Sequence, residues 1–145
     1  FAYGLHLYLS AQGAPTHECV LNLNVDEHHL LDERNLPTGE VRPAKLVDTP
    51  LDRVNWDDCF HGHGPLVADY TADGRGVRLA MDSGVEWVQL YTPENFPREV
   101  APSGKALAVE PMSAPPNALR SGIDLVRLKQ GKPHVFSLHL SAVEK

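Results

Sequence analysis

Glu110 closes an alternating run, Ala106-Leu107-Ala108-Val109-Glu110, in which its same-face neighbours are two alanines. Small neighbours leave room on that face for another molecule. A carboxylate at a strand end, beside the rigid loop Pro111-Met112-Ser113-Ala114-Pro115-Pro116-Asn117, is placed for proton transfer. The competing reading is an edge-strand glutamate in water. His6, in Gly4-Leu5-His6-Leu7-Tyr8, shares a strand face with Gly4 and Tyr8. An imidazole titrates near neutral pH and suits a general acid, although a core histidine bonded to backbone fits the same pattern. Gln89 lies between Trp87 and Tyr91 on one strand face. Rings beside an amide suit a sugar, with its apolar faces and hydroxyl edges; they equally suit simple packing. Asp57 heads the crowded run Asp57-Asp58-Cys59-Phe60-His61-Gly62-His63-Gly64, where it could accept from a polyol or cap a turn. Cys59, His61 and His63 alternate and could face one metal ion. Structural zinc ligands come in separated pairs, however, and this run has no second pair, so no metal is expected here. His17, His28, His29, His134 and His139 show no ligand spacing, and Asp26-Glu27 and Asp32-Glu33 read as solvated acidic pairs.

The elements that must position these groups are short. Twelve prolines and eleven glycines are spread through the chain and divide it at intervals of about 8–12 residues, the spacing of an all-β sandwich or barrel. Alternation marks strands at 19–26, 77–81, 87–92 and 106–110, with two more at 124–128 and 133–141. Gln130-Gly131-Lys132 reads as a hairpin turn between the last two. Residues 36–40 carry turn chemistry, 92–105 and 111–122 read as proline-rich loops, and one helical turn fits at 116–120.

Composition narrows the function. With 145 residues, 42% hydrophobic and 22% charged, the chain is an ordinary globular sequence forming one domain or part of one. Its formal charge of −6 argues against nucleic acid or an anionic membrane surface as the main partner. Its apolar runs fall short of the ~20 residues of a spanning helix. Two cysteines are too few for a disulfide scaffold, and the start has no charged leader before an apolar core, so a cytoplasmic setting is expected. The chain opens directly on strand-like Phe1-Ala2-Tyr3-Gly4, which reads as the middle of a longer chain.

Taken in order, these pieces resemble the aldose 1-epimerase, or galactose mutarotase, family. Gly4-Leu5-His6-Leu7-Tyr8 is similar to its Gly-x-His-Pro-Tyr segment, with Leu7 in place of the proline. Leu36-Pro37-Thr38-Gly39-Glu40 resembles its Pro-Thr-Gly-Glu turn, and Thr49-Pro50-Leu51-Asp52 the Thr-Pro-x-Asp that follows. Trp56-Asp57-Asp58-Cys59-Phe60, Trp87-Val88-Gln89-Leu90-Tyr91-Thr92 and Leu107-Ala108-Val109-Glu110-Pro111 resemble three further family strands, and Pro115-Pro116-Asn117-Ala118 the loop after the last.

The resemblance implies an antiparallel β-sandwich, with residues 1–145 forming the C-terminal part of one such domain. Sugar would bind on a concave sheet face. Glu110 would be the base taking the anomeric hydroxyl proton, and His6 the acid protonating the ring oxygen, the two facing one another across a hollow wide enough for a pyranose. Asp57 and Gln89 would hold hydroxyls, with Tyr8 and Trp87 as aromatic walls. No metal or organic cofactor is implied. The partner would be a free hexose, and an incomplete sandwich would pair with its missing N-terminal half or a second copy. Two other readings share the fold: a non-catalytic carbohydrate-binding module, and a hexose-6-phosphate epimerase, which would want arginines at the pocket. Arg53 and Arg98 are the loop candidates for that role.

Overall fold

A computed structural model describes residues 1–82, 84–97 and 104–144. The described residues form eleven strands: β1 (Leu7–Leu9), β2 (Cys19–Leu23), β3 (Glu27–Leu31), β4 (Pro37–Pro43), β5 (Leu46–Pro50), β6 (Asp57–His61), β7 (Val67–Ala72), β8 (Arg75–Met81), β9 (Trp87–Tyr91), β10 (Leu107–Met112) and β11 (Leu138–Val143). Two sheets result, with orders β1-β10-β9-β6-β3-β4 and β11-β8-β7-β2-β5. Every ladder is antiparallel. The fold is the expected all-β sandwich.

Alternation decides which side of each strand is buried. In β9, Val88 and Leu90 point one way and Trp87, Gln89 and Tyr91 the other. The first set joins Phe60, Leu107 and Val109 against Leu21, Leu51, Leu66, Leu79 and Met81, all at most 2% exposed. This apolar layer between the sheets is the core, and a fully buried side chain of this size stabilises by about 1.5–3 kcal/mol. The opposite face of the first sheet is left for chemistry.

Some sequence-based expectations shift. Residues 124–128 form no strand: Asp124 is left-handed (φ 48°), and its carboxylate accepts from Trp87 Nε1 at 2.9 Å. The strand expected at 133–141 begins only at Leu138 and runs to Val143, pairing with β8. Residues 37–40 lie in β4, because the turn falls earlier. Asp32 Oδ1 accepts the backbone N–H groups of Arg34 (2.8 Å) and Leu36 (2.9 Å), with Asn35 left-handed (φ 57°). Those two bonds hold the Asp32 carboxyl below its usual range. β10 continues two residues past Glu110, its Pro111 carbonyl accepting from Leu5 N at 3.1 Å. The turn at 130–132 is present, with Lys132 N donating to Lys129 O and Gly131 left-handed (φ 72°). A single helical turn, α1, spans Ala118–Ser121. Residues 98–103 of the expected 92–105 loop, with Arg98, lie outside the described residues.

Candidate active site

Four strands adjacent in the first sheet carry the candidate groups: β1, β10, β9 and β6. Register puts the side chains on one face. Glu110 is directly opposite Gln89, and Tyr91 directly opposite Asp57. Tyr8 opposes Ala108, so His6, two residues before Tyr8, projects on the same side as Glu110. Gly4 brings the lead-in to β1 against β10: a Cβ there would stand 3.0 Å from the Pro111 carbonyl oxygen and 3.2 Å from Met112 Cγ. Only glycine allows this approach without displacing its neighbours.

One open hollow of about 460 Å³ is lined by His6, Asn35, Asp57, Gln89, Tyr91, Glu110, Met112 and Pro116. That size falls among ordinary small-molecule sites. His6, Glu110, Gln89 and Asp57 are therefore brought together. Tyr8 stands beside them, 5.0 Å from the His6 ring and 4.2 Å from Phe96, and lines a neighbouring hollow. Burial and the nearby Tyr91 and Glu110 raise its phenol above the usual range. Trp87 is not in the lining. It is buried on the same face, between the rings of His61 (4.4 Å) and His29 (4.6 Å). Arg53 is exposed in the 3-10 turn Leu51–Arg53 and lines no part of this hollow.

The expected sugar-wide gap between acid and base is closed. His6 Nε2 lies 3.1 Å from Glu110 Oε1, because an imidazole and a half-buried carboxylate on adjoining strands attract one another. The His6 side chain is 49% exposed and that of Glu110 20%, so the imidazole is the one with room to swing. Burial pushes the Glu110 carboxyl above its usual range; the His6 charge pulls it down, and the Asp57 charge adds to the rise.

Asp57 is fixed at both oxygens. Gln89 Nε2 donates to Oδ1 at 2.8 Å, and Asn35 Nδ2 donates to Oδ2 at 2.8 Å. Trp56 N donates to Thr92 Oγ1 (2.7 Å) and Thr92 N to Trp56 O (2.9 Å), which ties the start of β6 to the end of β9. With its amide nitrogen committed, Gln89 is left with a buried Oε1 that has no hydrogen-bond partner. A buried acceptor without a donor costs about 1–3 kcal/mol, so a hydroxyl reaching it would gain that back. Sequence reasoning missed Asn35, and did not single out Met112 and Pro116 as lining residues; of the two rings it placed beside Gln89, Tyr91 lines the hollow and Trp87 does not. Asn35 had one readable signal, its place in the Asp32-Glu33-Arg34-Asn35 turn before Pro37.

The histidine-rich run resolves differently from its spacing. Cys59 is buried on the site face, and burial pushes its thiol up to about 12. His63 is exposed and near Asp26. His61 reaches across to β3, where Glu27 Oε2 is 3.1 Å from its Nδ1 and 3.0 Å from His29 Nε2. Glu27 and His29 are thus not the solvated acid and unpartnered histidine expected from sequence. Among the described residues no helix is long and apolar enough to cross a membrane.

Comparison with known proteins agrees with this architecture. The chain is 30% identical, over 92% of its length, to the uncharacterised protein YihR of Escherichia coli (strain K12), of which it covers 44%. A galactose mutarotase-like protein from Clostridium acetobutylicum superimposes with a TM-score of 0.64 at 15% identity, over 98% of this chain and 46% of that one. An Escherichia coli K12 protein described as a candidate aldose 1-epimerase superimposes with a TM-score of 0.64 at 19% identity, over 99% of this chain and 50% of that one. At such identities the two structures establish the fold, and in all three cases the chain spans about half the relative's length or less. The family model for aldose 1-epimerase matches residues 1–141. With nearly the whole chain matched, and the sandwich in common, the chain belongs to the aldose 1-epimerase family.

Proposed function

We propose that this protein interconverts the α and β anomers of a free hexose. The observation that carries this reading is the juxtaposition of His6 and Glu110, 3.1 Å apart, with Gln89 and Asp57 in the lining of the same hollow. When sugar enters, the pair parts and the ring lies between them. Glu110 takes the proton of the anomeric hydroxyl while His6 delivers one to the ring oxygen. The C1–ring oxygen bond breaks and C1 becomes an aldehyde. Rotation about C1–C2 and the reverse transfers close the other anomer, returning both protons. Asp57 and Gln89 hold hydroxyls through the remaining lone pairs, and Tyr91 gives the ring an apolar neighbour. A carboxylate held above its usual range is a stronger base, nearer the pH at which it works. The chemistry uses side chains alone.

Partner and setting belong to the same proposal. Leu119, Ile123, Leu128, Val135 and Leu140 are each more than half exposed, and the chain spans 44–50% of its relatives. We infer that a further polypeptide segment, the N-terminal half of such a sandwich or a second copy, covers this apolar surface. Light scattering that finds a stable 16.0 kDa monomer overturns that part. Two buried thiols suit a reducing, cytoplasmic compartment.

Polarimetry tests the activity. Freshly dissolved α-glucose or α-galactose should relax faster with protein than without, and Glu110→Gln should abolish the acceleration. Binding without acceleration leaves a carbohydrate-binding module instead. Acceleration confined to a phosphorylated hexose overturns the free-sugar assignment; Arg53, which that reading would want at the pocket, does not line the hollow.

A further inference from the structure

We propose that Glu27, His29 and His61 bind one divalent transition-metal cation of the zinc type, at a site separate from the His6–Glu110 hollow. Glu27 on β3 is directly opposite His61 on β6, and His29 follows Glu27 by two residues on the same face. The three side chains therefore converge from two adjacent strands. Their donor atoms all lie within 4.8 Å of one another, and Glu27 Oε2 is 3.0 Å from His29 Nε2 and 3.1 Å from His61 Nδ1. Around a tetrahedral zinc with ligands near 2.1 Å, donors stand roughly 3.4 Å apart, so the two imidazoles have to close by up to about 1.4 Å while the carboxylate oxygen opens from each by about 0.3–0.4 Å. Two imidazoles and one carboxylate select zinc, cobalt, nickel or iron(II). Calcium and magnesium take oxygen cages instead.

Two features go beyond the bare cluster. Behind His61, its other nitrogen Nε2 has the Glu86 carboxylate at 3.8 Å, beyond hydrogen-bond length but near enough to close onto the imidazole as the outer carboxylate of a ligating histidine. Beside both rings stands Trp87, 4.4 Å from His61 and 4.6 Å from His29, itself tied to Asp124 by its N–H. The indole fixes the ring planes and shuts water out on one side. His61 is 11% exposed at its side chain, His29 21% and Glu27 37%, which leaves an entry past the carboxylate and an open position for water. The alternative is a carboxylate that merely shares hydrogen bonds with two imidazoles.

The test is direct metal analysis of the purified protein, stripped with EDTA and dialysed against zinc. About one zinc per chain should be retained. Glu27→Gln and His29→Gln, both partly exposed, should weaken zinc by more than the roughly 10–100-fold cost of losing an outer-shell partner, and Glu86→Gln by about that cost. His63→Gln should bind as wild type does. Circular dichroism in EDTA checks that each variant folds. In a Trp56→Phe variant with Glu27, His29 and His61 intact, nickel should quench the Trp87 emission, and zinc should restore it, which keeps the test independent of the ligand variants. Substoichiometric zinc, affinity unchanged by Glu27→Gln and His29→Gln, or loss confined to His63→Gln overturns the proposal. None of these readouts depends on sugar chemistry.

Discussion

Replacing Glu110 with glutamine separates the proton-transfer role from every packing role of that side chain. The amide has the same shape, and its oxygen can still accept from His6, so the 3.1 Å contact is retained in kind. What is lost is the basicity that the proposed mechanism uses to remove the anomeric proton. One such transfer contributes about 10²–10⁴ in rate. At 1.36 kcal/mol per decade this is about 2.7–5.4 kcal/mol of transition-state stabilisation. The loss should fall on kcat, with KM changed by about threefold or less, because glutamine still receives a hydroxyl. The pH profile adds a second reading. Burial raises the Glu110 carboxyl, so the acidic limb of kcat/KM in the wild type should lie above the ordinary glutamate value of about 4.3, and Glu110→Gln should abolish that limb. Stability gives a third. A carboxyl whose folded pKa is raised favours folding below its unfolded pKa, and that contribution is lost as pH rises through the folded value. Ionised Glu110 is therefore a cost at neutral pH, and Glu110→Gln should melt no lower than wild type there. Anomerisation by polarimetry across pH, with melting curves at pH 7, covers all three. A variant keeping more than a tenth of wild-type kcat, or an acidic limb persisting without the carboxylate, refutes the assignment.

Other expectations are narrower. Asn35→Ala removes one of the two N–H donors on Asp57 and should raise KM about 3–10-fold with kcat little changed, read from initial rates against sugar concentration. Gly76→Ala drives a methyl into the Tyr70 carbonyl across the β7–β8 hairpin, and denaturant titration should show a loss of about 1–3 kcal/mol. Cys59, with its thiol pushed up to about 12, should resist iodoacetamide at pH 8 in the native protein and react once it unfolds, as peptide mapping by mass spectrometry would show.

Alternation was readable where one strand face is fully buried. β2, β8, β9 and β10 carry strict period-two patterns, and their central residues were placed on the correct faces from sequence. β4 reads as a turn because Pro37-Thr38-Gly39-Glu40 has turn residues, yet it is an exposed outer strand where burial imposes no pattern. The run at 124–128 was expected as a strand, but Asp124 serves Trp87, and the segment passes without a partner strand. Glu110, Gln89 and Asp57 were legible as a set only through the motifs that resemble the aldose 1-epimerase family, since the local neighbours of each also fitted a plain structural role. Asn35 and the Glu27–His29–His61 group were not, since they become neighbours only through the β3–β6 register, which no local spacing encodes. The contact between His6 and Glu110 was also invisible, as it depends on how far two side chains lean toward each other.

The proposed acid and base are mounted on unequal foundations. Glu110 belongs to β10, flanked by strands on both sides, whereas His6 lies on an outermost segment of its sheet, between the Gly4–Met112 bridge and the Leu7–Leu9 pairs with 107–109. Margin strands are the first to fray, at a free energy well below that of global unfolding. Hydrogen exchange should therefore be faster at residues 6–9 than at 107–112. Under the proposed mechanism the base would stay fixed while the acid travels, and the rate at which His6 leaves and returns would set a ceiling on turnover.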